Sequence, residues 1–148
     1  METNRNSILI VDNDTTDIRM LMDMLSHDYT VYAERDGQKC LDAAKRLRPD
    51  LILLDVVMPE VNGFEVIRML KDDQETKSIP VIFVTGLANS DDEAMGFILG
   101  AVDYINKPLS APVVKMRIRN QLKIVSQIRE IQKISRMNCA CAEEDQES

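Results

Sequence analysis

The sequence predicts an α/β fold in which a five-stranded parallel sheet is wound on both faces by helices. Short apolar runs alternate with longer amphipathic stretches in five successive β-α units, and such a succession builds a parallel sheet with right-handed crossovers. The runs are continuous rather than alternating, as central strands buried on both faces require. Polar residues then stand at four strand ends: Asp12, Asp55, Thr85 and Lys107. In open sheets of this kind the ligand site lies beyond the carboxyl ends of the strands.

Taken in order, Ile8-Leu9-Ile10-Val11 forms the first strand and stops at Asp12. The helix over 15–26 follows, with Ile18, Leu21, Met22 and Leu25 on one face at spacings of three and four. Thr30-Val31-Tyr32-Ala33 is a weaker second strand, and the helix over 38–47 carries Leu41, Ala44 and Leu47 on one side. Leu51-Ile52-Leu53-Leu54 ends at Asp55, before a helix over 63–70 that carries Phe64, Ile67 and Leu70, with Val66 and Met69 beside them. Val81-Ile82-Phe83-Val84 ends at Thr85. The helix over 90–99 opens on Ser90-Asp91-Asp92-Glu93, with Ser90 as N-cap and Glu93 three residues on, and stops at Gly100. Residues 101–105 form the fifth strand. The last helix starts at Ser110 with Pro112 in its first turn, where a missing N–H does little harm.

A chain of 148 residues fits one domain with a sizeable core. Its 25 acids outnumber 18 bases, for a formal charge of −7. That balance argues against a general nucleic-acid binder, which needs a basic face, and suits a protein that holds a cation. No apolar run approaches the ~20 residues that span a bilayer. The first seven residues lack the apolar stretch of a signal peptide. The expected location is therefore cytoplasmic, without membrane contact. Cys40, Cys139 and Cys141 form no disulfide framework and read as free thiols. The single histidine, His27, has no evident partner for catalysis or zinc and reads as a helix end. The nine methionines read as core filler.

The strand-end residues make one chemistry together. Asp12, Asn13 and Asp14 offer oxygen at one strand end and Asp55 a carboxylate from the middle of the sheet. Clustered carboxylates repel unless a cation sits between them, and a few hard oxygen ligands favour Mg²⁺, which bridges carboxylates to phosphates. Thr85 and Lys107 can then hold phosphoryl oxygens, and a carboxylate can itself accept the phosphoryl group.

With those residues in place, the sequence resembles a two-component response-regulator receiver domain, of the kind that includes the chemotaxis receiver, over about residues 6–122. The resemblance rests on the acidic turn at Asp12, on Asp55-Val56-Val57-Met58-Pro59 with Gly63, on Thr85-Gly86 and on Lys107-Pro108. Asp55 and Thr85 are 30 residues apart, and Thr85 and Lys107 are 22 apart. It implies a flavodoxin-like (βα)5 fold with strand order 2-1-3-4-5, a receiver over 1–122, and a helical extension with an acidic tail over 123–148. Asp55 is implied as phosphoacceptor. Asp12, Asn13, Asp55 and the backbone carbonyl of Val57 are implied as Mg²⁺ ligands. Thr85 and Gly86 are implied at the phosphoryl oxygens, with Lys107 as their ion-pair partner and a cis peptide between Lys107 and Pro108. Thr85 and Tyr104 are implied as the switch, with Tyr104 turning inward so that the fourth helix, fifth strand and fifth helix report the state. A histidine kinase or phosphotransfer protein is the implied donor. Val57 and Leu87, each two residues past a site residue, imply a long-lived phosphoryl group.

Two other readings use the same residues. Asp12-x-Asp14-x-Thr16 also resembles the first motif of haloacid-dehalogenase-type phosphohydrolases, with Asp12 as nucleophile and Asp14 as general acid. That reading leaves the segment from Asp55 to Gly63 without a purpose. A receiver fold that has lost its chemistry and serves as an interaction module is the other.

From Pro112 to Met137 no Gly or Pro intervenes, so the last helix can run about 26 residues, or roughly 39 Å at 1.5 Å each. Ile124, Ile128, Ile131 and Ser135 recur along it at spacings of 4, 3 and 4, a short coiled-coil seam. It offers a homodimer contact together with the fourth-helix, fifth-strand, fifth-helix face, or a link to a C-terminal output domain. Residues 139–148 are acidic and read as disordered. The basic run Lys115, Arg117, Arg119 and Lys123 reads as a solvated face, with no direct nucleic-acid binding expected.

Receivers of the resembled family carry two acids in the first turn, whereas position 13 here is Asn13. Its amide oxygen can still face Mg²⁺ but brings one negative charge fewer. Asn13→Asp is expected to tighten Mg²⁺ binding in a calorimetric titration; an unchanged affinity contradicts this.

Overall fold

Side chains alternate along a strand, so an apolar run needs a covering layer on each side. The computed structural model describes the backbone of residues 5–86 and 90–147 and side chains as far as 137. Its strands are β1 (Ser7–Val11), β2 (Thr30–Glu34), β3 (Leu51–Leu54), β4 (Val81–Thr85) and β5 (Asp103–Asn106). All pairings are parallel, in the order 2-1-3-4-5. The helices are α1 (Thr15–Leu25), α2 (Cys40–Leu47), α3 (Gly63–Asp72), α4 (Ser90–Leu99) and α5 (Ala111–Glu147).

The alternation sorts the core into two layers. Ile8, Ile10, Leu51, Leu53, Ile82 and Val84 face Ile18, Leu21 and Leu25 of α1 and Val114, Ile118 and Leu122 of α5. Leu9, Val11, Ile52, Leu54, Val81 and Phe83 face Ala43 and Ala44 of α2 and Val66, Ile67 and Leu70 of α3. Each large side chain so buried contributes about 1.5–3 kcal/mol, and these two layers hold the sheet rigid behind its carboxyl edge. The edge strand β2 is only half-buried, consistent with its weaker apolar run.

Strand order brings distant residues together. Because β1 and β3 are neighbours, Val11 pairs with Leu54, and the residues that follow them, Asp12 and Asp55, meet at the point where the order reverses. Local chemistry then turns the chain. Asp14 caps α1 by accepting from the backbone N–H groups of Thr16 and Asp17. Asn62 caps α3 through Glu65 N at 3.0 Å. Gly100, at φ +116, ends α4: its N–H donates to Phe97 O and that of Ala101 to Gly96 O.

Several boundaries differ from the sequence expectation. The second helix opens with a 3₁₀ turn, Gly37–Lys39, capped by Asp36. Ser90 is the first residue of α4 rather than its cap. Ala101 belongs to the turn that closes α4, so β5 starts at Asp103. His27 ends no helix: Ser26 is the C-cap of α1. The acidic segment read as disordered instead continues α5 to Glu147, since neither Gly nor Pro stops the helix after Pro112. Cys40 is buried, which pushes its thiol pKa up to about 12. Leu87 and the side chains of Cys139 and Cys141 lie outside the described residues.

Backbone approaches closely at Gly63, where a Cβ would lie 2.3 Å from Asp55 O and 2.8 Å from Val56 Cα. Both are backbone atoms, so the chain must shift to admit a side chain. Gly63→Ala is expected to lower stability by about 1–3 kcal/mol in urea unfolding; an unchanged midpoint contradicts this close approach.

Candidate functional site

Beyond the carboxyl ends of β1, β3, β4 and β5 lies a cleft of about 330 Å³, lined by Asp12, Asn13, Asp14, Asp55, Val57, Thr85, Gly86 and Lys107. Asp12, Asp55 and Thr85 are buried. Lys107 follows β5, and its N–H donates to Thr85 O at 3.0 Å, tying the ends of two strands together. The Lys107–Pro108 peptide is cis.

The Lys107 ammonium is the electrostatic centre of the cleft. Its Nζ lies 2.7 Å from Asp17 Oδ2, 3.1 Å from Asp12 Oδ2 and 3.3 Å from Asp55 Oδ2. Two adjacent buried carboxylates repel each other, and the ammonium offsets this. Burial works against the charged lysine, yet the carboxylates of Asp17, Asp12 and Asp55 outweigh it and raise its pKa above the ordinary lysine value. Burial and, to a smaller degree, the Asp55 charge raise the pKa of Asp12, opposed by the Asp14 N–H and by Lys107.

The remaining oxygens are fixed by backbone donors. Asp12 Oδ1 accepts from Asp14 N at 2.8 Å, and Asp55 Oδ1 accepts from Val57 N at 3.3 Å. Asn13 is half-buried, and its backbone oxygen accepts from Arg35 Nη2 at 3.5 Å. The Val57 side chain is exposed. A Cβ on Gly86 would meet nothing within 4 Å, so open space lies beside it in the cleft.

Tyr104, on β5, lies away from this cleft and is already turned inward. It is buried, with its ring centroid 5.3 Å from that of Phe83 and 5.4 Å from that of Phe97. Its hydroxyl donates to Asp92 O at 2.8 Å. Burial pushes its pKa up to about 12. Gly96 of α4 makes this possible, since a Cβ there would lie 2.3 Å from the hydroxyl oxygen.

The structure thus gathers Asp12, Asn13, Asp55, Val57, Thr85, Gly86 and Lys107 in one cleft and sets Tyr104 behind it, against α4. Sequence reasoning missed Asp17. Its one signal is position: it stands in the first turn of α1, next to inward-facing Ile18 and five residues after Asp12.

Fold, cleft and sequence define one class: residues 8–119 match the response regulator receiver domain, and the chain belongs to that family. Among relatives, it is 41% identical over 107 residues to the polar-differentiation response regulator DivK of Brucella anthropi, a match covering 72% of this chain and 87% of DivK. It is 44% identical over 117 residues to a Vibrio cholerae protein named "Probable cyclic di-GMP phosphodiesterase"; that match covers 79% of this chain but 26% of the relative. The chain therefore spans about a quarter of that protein's length. Among solved structures, Vibrio cholerae chemotaxis protein CheY4 superposes with a TM-score of 0.74 at 25% identity, covering 78% of this chain and 98% of that one. No helix among the described residues is long and apolar enough to cross a membrane.

The buried Asp12 carboxylate costs desolvation energy that Lys107 offsets only in part. In a chelator at neutral pH, Asp12→Asn is expected to stabilise the fold by on the order of 1 kcal/mol in urea unfolding; a lowered midpoint contradicts this.

Proposed function

We propose that this receiver accepts a phosphoryl group on Asp55 from the phosphohistidine of a histidine kinase or phosphotransfer protein. The observation that carries this reading is the Lys107 ammonium, which reaches Asp12 and Asp55 in one cleft. A carboxylate oxygen of Asp55 attacks phosphorus, the P–N bond to the donor histidine breaks, and the histidine nitrogen leaves with the bonding pair. The Lys107 ammonium and the Thr85 hydroxyl hold the phosphoryl oxygens, and the space beside Gly86 receives them. The protein is a signalling phosphoacceptor, catalysing only its own phosphotransfer and dephosphorylation, and the cytoplasm is its place of work.

The donor set fits Mg²⁺. No three His, Cys, Asp or Glu side chains among the described residues form a metal cage by themselves. The buried Asp12 and Asp55 carboxylates, with the Asn13 amide and the Val57 carbonyl, would supply the hard oxygens that Mg²⁺ favours. Bound there, Mg²⁺ would neutralise charge on the transferring group.

Tyr104 carries the readout. Its ring is wedged against Phe97 and Gly96 of α4, so movement of Thr85 toward the phosphoryl group bears on the α4, β5 and α5 face through β4. Residues 1–122 act as the receiver and 123–148 as an extension. Ile124, Ile128 and Ile131 are exposed along it, which supports a homodimer contact or a link to an output domain. The phosphohydrolase reading is disfavoured by Asp14, its general acid, because that carboxylate caps α1.

Phosphorylation with acetyl phosphate and Mg²⁺, followed by peptide mass spectrometry, tests the assignment. Label on Asp55 is expected, lost in Asp55→Asn and slowed about tenfold or more in Asp12→Asn. Label on Asp12 contradicts the reading in favour of a hydrolase, and no label at all favours a phosphorylation-independent interaction module.

A further inference from the structure

The shortest contact of the Lys107 ammonium is to neither Asp12 nor Asp55. It is to Asp17, at 2.7 Å against 3.1 and 3.3 Å. Asp17 is the one member of this trio to which the functional reading gives no role. It stands on α1, whereas Asp12 and Asp55 follow β1 and β3. About a fifth of its side chain is exposed, as is about a fifth of the Lys107 side chain, so the pair closes the solvent side of the cluster.

An ammonium held between Asp12 and Asp55 competes with any cation for the same oxygens. The competition is sharper here than with two acids in the first turn, because Asn13 contributes no charge. We propose that Asp17 is a positioning residue that draws Lys107 toward α1 and so keeps the Asp12–Asp55 oxygens open to Mg²⁺. The proposal rests on the assignment of Asp12 and Asp55 to that cation. Asp17 supplies, on the lysine side of the cleft, the negative charge that Asn13 omits on the metal side. Its carboxylate gives Lys107 a partner that need not be surrendered when the other two turn to the metal. Asp17 therefore acts through Lys107 and touches neither metal nor phosphoryl group.

A four-protein cycle tests this: wild type, Asp17→Asn, Lys107→Ala and the double variant, each titrated with Mg²⁺ alone by calorimetry. In the presence of Lys107, Asp17→Asn is expected to weaken Mg²⁺ binding about two- to fivefold, the range of a partly exposed ion pair. With Lys107→Ala in place, the same substitution is expected to change nothing. Asp17→Glu, which keeps the charge, is expected to retain most of the wild-type affinity. Thermal unfolding of each variant separates a folding defect from a binding effect, and Asp17→Glu carries the test if Asp17→Asn does not fold. Equal weakening with and without Lys107 overturns the proposal, because Asp17 then acts only as a distant charge. Unchanged or tighter binding in Asp17→Asn overturns it as well. If wild type binds Mg²⁺ but the cycle shows no coupling, only the role of Asp17 falls; if none of the four binds Mg²⁺, the metal assignment falls with it.

Discussion

One ammonium among three carboxylates is the constraint on which the rest of this site depends. Lys107 lies within ion-pair distance of Asp12, Asp17 and Asp55, residues contributed by three different segments of the chain. Burying Asp12 and Asp55 side by side would be unfavourable without a positive charge between them. In this structure that charge comes from Lys107; under the proposed function a bound cation would share the role. A phosphoryl group on Asp55 changes that balance again, because it offers Lys107 a more highly charged partner.

The fold couples this charge cluster to the strand ends. Neighbouring β1 and β3 bring Asp12 and Asp55 together, while the Lys107 N–H bond to Thr85 ties β4 to the segment after β5. Packed layers on both faces leave little freedom for the sheet to absorb a local change. Against α4, Gly96 leaves space for the Tyr104 ring and Asp92 O takes its hydroxyl. Tyr104 belongs to the core layer that faces α2 and α3, whereas Lys107 pairs with Asp17 of α1. At the amino ends of β1 and β3, Asp50 accepts from Ser7 N and pairs with Arg129 of α5 at 3.0 Å, a contact between the helical extension and the domain.

Much of this was legible in the sequence, for physical reasons that differ between elements. Continuous runs such as Leu51–Leu54 announce strands covered on both faces, and the polar residue ending each run announces the active edge. Periodicity could not give strand order, which came from the likeness of the motifs to a known family. Asp17 was not legible, since an acid in the first turn of a helix is what the helix dipole favours anyway, which masks the one signal its position gives. The acidic end of α5 misled because composition was weighed over the lack of any helix-stopping residue. The left-handed conformations at Arg48 and Glu60, with φ 47 and 69, carry no glycine to mark them.

Under the proposed function Asp55 receives the phosphoryl group, and Lys107 leaves the Asp12 and Asp55 carboxylates to meet it. A crystal structure of the protein with Mg²⁺ and beryllofluoride tests this most directly. The expected result is beryllium bonded to one Asp55 oxygen, the Thr85 hydroxyl and Lys107 Nζ on its fluorines, and Mg²⁺ held by Asp12, Asn13, Asp55 and the Val57 carbonyl. Beryllium bonded to Asp12, or Lys107 still bridging Asp12 and Asp55 with the mimic bound, would contradict it.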